Sequence, residues 1–216
     1  MPRILYEDKD LLLVEKPTGV LSQEEASGGD SLPRRLAEKG LPVKPIHRLD
    51  RPTGGIMVYA RTPQAAAALS ALVGQHDRFV KEYLAVVSGV PDPKEGEFTD
   101  LLYHDMRKNK SFTVKKERKG VRLAKLSYCV LDTTDTPLGV FSLVRVRLHT
   151  GRTHQIRVQF ASRQMPLYGD SRYGGVKGAC LGLWSHTLTF PHPITNREIT
   201  AESFPPTTEP WIWFKK

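Results

Sequence analysis

The stretch His47-Arg48-Leu49-Asp50-Arg51-Pro52-Thr53-Gly54-Gly55, running on into Ile56-Met57-Val58-Tyr59-Ala60, decides how this chain reads. One carboxylate, Asp50, sits between two arginines that favour its ionised form by opposite charge and are equally suited to holding phosphates. Pro52 and the paired glycines suit a fixed turn where backbone comes close to a ligand. The apolar run that follows reads as a buried strand, which places the acid on a loop anchored to a sheet. A surface Arg-Asp-Arg ion-pair cluster before a strand has the same local appearance. The nonapeptide alone therefore leaves both readings open.

The 216 residues suit one medium domain of one or two lobes. Charge is the unusual quantity: 32 Lys+Arg against 23 Asp+Glu give +9, with an isoelectric point near 9.6. That excess favours a polyanionic partner, nucleic acid or an anionic membrane surface. Cys129 and Cys180 form no CxxC pair, which argues against a disulfide framework or a structural zinc site. No apolar run approaches the ~20 residues of a membrane span. Acids stand at Glu7 and Asp8, where a signal peptide would have its apolar centre. A reducing cytoplasm is the expected setting.

Residues 11–15 read as a buried strand that ends at the turn signal Lys16-Pro17-Thr18-Gly19. Asp30 is placed to cap a short helix running through Lys39 and stopping at Gly40. Thr62-Pro63 pairs an N-cap with an N1 proline before an Ala-rich helix reaching about His76. Tyr83 to Ser88 is strand-like, Val144 to His149 alternates apolar with basic residues, and Leu181 to Phe190 is a further strand. Thr153 is placed to cap a helix holding His154, Ile156, Arg157 and Phe160. In residues 105–125, Arg107, Lys108, Lys110, Lys115, Lys116, Arg118, Lys119, Arg122 and Lys125 face only Asp105 and Glu117. Apolar residues interleave around Lys119-Gly120, so the segment reads as a basic β-hairpin or arm lying against a phosphate backbone. The fold class expected is α+β with a mainly antiparallel, mixed sheet.

No GxGxxG or GxxxxGK[ST] cradle, no HExxH, no GxSxG elbow and no carboxylate companion for Asp50 is present. What remains is one loop carboxylate, several arginines, aromatic residues and a basic surface.

Those residues carry a resemblance. Leu5 to Gly19, His47 to Thr62, Lys81-Glu82-Tyr83-Leu84-Ala85, and Leu148 to Val158 (Leu-His-Thr-Gly-Arg-Thr-His-Gln-Ile-Arg-Val) match, in order, the blocks of RluA-type pseudouridine synthases. A fifth block matches at Pro166, Gly169-Asp170, Tyr173-Gly174 and Phe190 to Pro193, and together they span nearly all of residues 3–195. The chain thus resembles that family of RNA uridine isomerases. The resemblance implies one catalytic domain over residues 1–216, split into two lobes by a basic cleft, without a separate N-terminal RNA-binding domain. Asp50 corresponds to the catalytic aspartate, Tyr83 to the tyrosine that stacks on the flipped uracil, and Arg157 to the basic residue paired with the aspartate. Arg48 corresponds to the arginine that displaces the target base and Leu183 to an apolar pocket residue. His47 and Arg152 are further substrate-binding candidates, while Lys108, Lys110, Lys115 and Lys116 are the candidate RNA grip.

The chain departs from the family pattern twice. The family commonly reads Thr-Ser-Gly where Thr53-Gly54-Gly55 stands, and Leu-His-Ala where Leu183-Trp184-Ser185 stands. The expected partner is ribosomal or transfer RNA, bound by a monomer without metal, nucleotide or other cofactor. A non-catalytic RNA-binding or ribosome-assembly protein on the same scaffold is the competing expectation. A basic membrane-surface protein is a weaker one, because no amphipathic basic helix of suitable character appears.

Overall fold

Buried β-branched and aromatic runs alternate with glycine- and proline-marked turns along this chain, and the result is a sheet-rich α+β architecture with few helices. The computed structural model describes residues 2–26 and 28–214. In chain order the elements are β1 (Ile4–Glu7), β2 (Leu11–Lys16), α1 (Leu32–Ala37), β3 (Lys44–Pro45), β4 (Gly54–Ala60) and α2 (Pro63–Leu72). There follow β5 (Val80–Ser88), β6 (Glu95–Asp105), β7 (Lys110–Val114), β8 (Val121–Thr136), β9 (Gly139–Leu148), α3 (Gln155–Ala161), β10 (Leu183–Pro191) and β11 (Glu198–Glu202). Short 3-10 turns lie at Ser171–Tyr173 and Trp211–Phe214. Backbone contacts divide the chain into two compact units, 1–81 with 184–205, and 82–183 with 206–216.

In the first unit β2 pairs antiparallel with β1 and β4, β3 adds to β4, and β11 pairs with β10. β10 runs parallel beside β4, with Trp184 opposite Gly54 and Ser185 opposite Gly55. Every residue of β4 is buried, as expected of a strand covered on both faces. Leu11, Leu13, Ile56, Val58, Leu69, Phe79, Leu188 and Phe190 form its core. Thr62 caps α2 by accepting the Ala65 N–H at 3.2 Å, with Pro63 in the first turn. The cap of α1 is Ser31 rather than Asp30: its hydroxyl accepts the Arg34 N–H, while Asp30 is committed to Arg35.

The second unit holds the antiparallel order β5-β9-β8-β6-β7. Its core is aromatic, with Phe98, Tyr128 and Phe160 in mutual contact and Trp213 against Phe141 and Tyr168. The basic segment differs in detail from the hairpin expected around Lys119-Gly120. The strands flanking that glycine, β7 and β8, do not pair with each other; β6 lies between them. The hairpin turn is instead Met106–Asn109, and Asp105 Oδ1 fixes it by accepting the N–H groups of Arg107 and Lys108.

Candidate active site

Asp50 stands on the loop between Leu49 and Thr53, and the backbone around it is pinned residue by residue. Ser22 Oγ donates to the Leu49 carbonyl (2.6 Å) and accepts the Leu49 N–H (3.0 Å), while Tyr59 Oη holds the Ser22 carbonyl (2.8 Å). The Asp50 carbonyl accepts the Thr53 N–H at 2.9 Å. Arg51 Nε donates to the Gly19 carbonyl (2.8 Å), and the Gly19 N–H returns a bond to the Arg51 carbonyl (2.9 Å).

Lys16 completes this clamp, although in the sequence it reads only as part of a turn signal. Fully buried, it donates Nζ to the carbonyls of Val20 (2.7 Å), Pro17 (3.0 Å) and Arg51 (3.2 Å). One ammonium thus ties the 17–20 turn to the loop carrying Asp50. Burial pulls its pKa down to about 8, the Asp50 charge opposes that fall and the Arg51 charge assists it. His47 Nε2 accepts the Val58 N–H at 3.2 Å, and its ring lies edge-on to Phe79. Burial, helped by Lys81, pushes His47 down to about 3. It is therefore a neutral imidazole that fastens the segment before Asp50 to β4. Arg48 is exposed.

In the second unit Tyr83 lies buried on β5 opposite Val146. Arg157, on α3, is buried and forms a two-pronged ion pair with Asp170: Nε to Oδ2 at 2.7 Å and Nη2 to Oδ1 at 2.8 Å. Its guanidinium carbon lies 5.2 Å from the ring centroid of Tyr173. Tyr173 Oη in turn accepts the Ser111 N–H at 2.8 Å and stands 3.0 Å from His154 Nδ1. Asp170 and Tyr173 fall within a block that matches the family, yet their spacing from Arg157 has no helical or strand period to reveal the grouping.

The start of α3 is built differently from the expected Thr153 cap. His154 occupies the cap position in the left-handed region at φ 55° with no side-chain cap bond. Gln155 folds back instead, its Oε1 accepting from Thr150 Oγ1 (2.7 Å) and the Arg152 N–H (3.0 Å). Arg152 reaches β8, donating Nε to the Leu123 carbonyl at 2.9 Å. Leu183 is buried at the start of β10, while Lys108, Lys115 and Lys116 are exposed and Lys110 is half-buried.

Asp8, Asp10 and His192 bring ligand-capable atoms within 4.8 Å of one another. His192 Nδ1 accepts the N–H groups of Ile194 and Thr195, so Nε2 carries the proton that it directs at Asp8, 2.9 Å away. Asp8 also accepts from Tyr6 Oη and from the N–H groups of Asp10 and Leu11. These bonds commit the donor set to a structural network joining the β1–β2 turn to the β10–β11 turn.

Known proteins share this sequence pattern and fold. The RNA pseudouridylate synthase family matches residues 10–162. The tRNA pseudouridine synthase C of Pasteurella multocida is 31% identical over 91% of this chain and 88% of its own length. The ribosomal large subunit pseudouridine synthase D of Zymomonas mobilis is 30% identical over 93% of this chain and 68% of its own. The solved structure of human RNA pseudouridylate synthase domain containing 1 superposes with a TM-score of 0.82 at 21% identity, covering 96% of this chain and 85% of that one. That last likeness is one of fold alone. By sequence this chain belongs to the RluA-type family of RNA pseudouridylate synthases.

Proposed function

We propose that this enzyme converts a specific uridine of a structured ribosomal or transfer RNA to pseudouridine by flipping the base and using Asp50 as the essential carboxylate. The observation that carries this reading is the clamped loop: Ser22, Lys16 and Gly19 hold the backbone on either side of Asp50, and catalytic groups act best when held in place beforehand. The reaction breaks the N1–C1′ bond, turns the ring and joins C5 to C1′. As an isomerisation it balances without a redox partner or energy source. Asp50 attacks C1′, attacks the ring, or promotes elimination at the sugar; all three use an ionised carboxylate. A proton must also leave C5, and Tyr83 or Asp50 itself is the proposed acceptor.

Flipping costs a few kcal/mol, which stacking on Tyr83 and contacts from Arg48 to the displaced nucleotide offset. Arg157, held by Asp170, supplies the positive charge that the family resemblance assigns beside the aspartate. Leu183 lines the uracil pocket, Arg152 contacts the RNA, and His47 acts by fixing the loop. The protein works as a monomer in a reducing compartment, its RNA grip supplied by the 105–125 segment with Lys108, Lys110, Lys115 and Lys116.

Tritium release from C5-labelled uridine RNA tests the reading. Asp50→Asn is expected to abolish release while RNA affinity stays within a few-fold of the parent; full activity in that variant would overturn it. Comparing pseudouridine maps of total RNA with and without the gene identifies the target.

A further inference from the structure

Strands β6, β7 and β8 place an unusual set of side chains on one face. Directly paired residues share a face, so Tyr103 lies beside Phe112 on one side and Val121 on the other, and Leu101 beside Val114 and Leu123. The opposite face carries buried Leu102, Ser111 and Ala124, with Leu102 and Ala124 packed on Val158 of α3. The outer face is open at Phe112, 36% exposed, and Leu123, 52% exposed, whereas Val121 on the same face is buried. Cations stand against its rings. The Arg118 guanidinium carbon is 4.8 Å from the Tyr103 centroid and Lys110 Nζ is 5.7 Å from that of Phe112, with exposed Lys115 and Lys116 following on the same loop.

We infer that this outer face is a stacking platform for an unpaired RNA segment flanking the target uridine. The inference rests on the RNA-modifying role proposed above and deepens it. Phe112, beside a half-buried Tyr103 whose ring already carries Arg118, offers flat apolar surface that a duplex, with its bases already stacked, has no means to use, whereas splayed bases stack on such rings. Lysine is depleted from protein–protein interfaces, and Lys110 and Arg118 against the aromatics, with exposed Lys115 and Lys116 nearby in the chain, complement a phosphate backbone. The ribbon is also held in place before RNA arrives. Tyr173 caps the outer edge of β7 through the Ser111 N–H, Ser111 Oγ donates to the Thr153 carbonyl at 2.6 Å, and Arg172 Nη1 donates to the carbonyls of Lys108 and Asn109.

Fluorescence anisotropy with a labelled single-stranded oligouridine and a blunt RNA duplex of equal length tests the platform across a salt series. Phe112→Ala is expected to weaken single-strand binding at least fivefold, leave duplex binding within twofold and leave the salt slope unchanged. Phe112→Trp restores single-strand affinity. The double variant Lys115→Ala/Lys116→Ala instead flattens the salt slope, by roughly 0.7 for each phosphate that is no longer neutralised. Phe112→Ala binding single strands within twofold of the parent would overturn the inference and favour a protein partner for this face, as would equal weakening on strand and duplex. Tritium release by the parent protein in the same preparation keeps the two readings apart. An active parent with binding insensitive to Phe112 removes the platform alone; an inactive parent with Phe112-dependent binding removes the synthase reading alone.

Discussion

Gly54 and Trp184 face each other across the parallel β4–β10 pair, and the indole fills the space that a side chain at 54 would need. A Cβ added at Gly54 would lie 2.2 Å from Trp184 Cζ3 and 2.8 Å from Cε3. The two departures from the family pattern, glycine for serine and tryptophan for histidine, are therefore one packing solution. Trp184 also joins a buried relay, its Nε1 donating to Ser203 Oγ (3.1 Å), which donates to Glu15 Oε2 (2.7 Å).

Gly54→Ser should thus overpack the site by about 1–3 kcal/mol and lower turnover, since residue 54 follows Asp50 by one short turn. The same substitution in a Trp184→His background should cost at least about 1 kcal/mol less, a coupling of the size seen between contacting residues. Denaturant unfolding of the four proteins in the cycle measures this. Additive costs would separate the two positions.

Lys16→Met removes the ammonium that tethers three carbonyls around the loop carrying Asp50. Turnover should fall at least tenfold, with RNA affinity held. A pH signature accompanies it. Folded Lys16 titrates near 8 rather than its ordinary 10.5, so between those values the unfolded chain holds the extra proton and stability rises with pH. The parent protein should gain stability relative to Lys16→Met from pH 7 to pH 10.5, by about 3 kcal/mol for a 2.5-unit shift. Unfolding midpoints of both proteins along that range give the difference; a flat one would show that Lys16 titrates normally.

Arg157 and Asp170 are both buried and meet through two parallel bonds. Asp170→Asn leaves the guanidinium without this carboxylate and should cost about 3 kcal/mol, together with a loss of single-turnover rate. Arg157→Lys should be nearly as damaging, because a point charge cannot reproduce the planar fork. Wild-type rate and stability in Asp170→Asn would show that the pair does not position Arg157.

What the sequence makes legible is local. The buried strands β2 and β4 announce themselves as apolar runs bounded by turn residues, and Thr62-Pro63 names its own helix start. The loop chemistry around Asp50 is visible for the same reason, because Arg48, Asp50 and Arg51 are chain neighbours. Pairings set by tertiary packing are not visible. Asp170 meets Arg157 from a turn of irregular structure, and Lys16 looks like any lysine before a proline until its carbonyl partners are known. Gly54 has no explanation until β10 brings Trp184 beside it. The start of α3 departs from the Thr153 cap because Gln155, a residue with little local capping preference, uses its long side chain to reach back to Arg152 and Thr150.

Tyr173 joins the β6–β7 ribbon to Arg157, and its two halves separate by substitution. Its hydroxyl meets Ser111 and His154, while its ring lies 5.2 Å from the Arg157 guanidinium carbon and 5.1 Å from Lys110 Nζ. Tyr173→Phe keeps both cation contacts and frees the edge of β7, at a cost of about 1 kcal/mol. RNA KM should rise severalfold with kcat nearly unchanged. Tyr173→Leu also removes the ring face, and kcat should then fall as Arg157 loses one of its supports. Burial raises the Tyr173 phenol above its ordinary pKa, so it stays protonated below pH 10 and contributes no limb to the pH–rate profile there. A kcat loss in Tyr173→Phe equal to that in Tyr173→Leu would assign the hydroxyl, rather than the ring, to the support of Arg157.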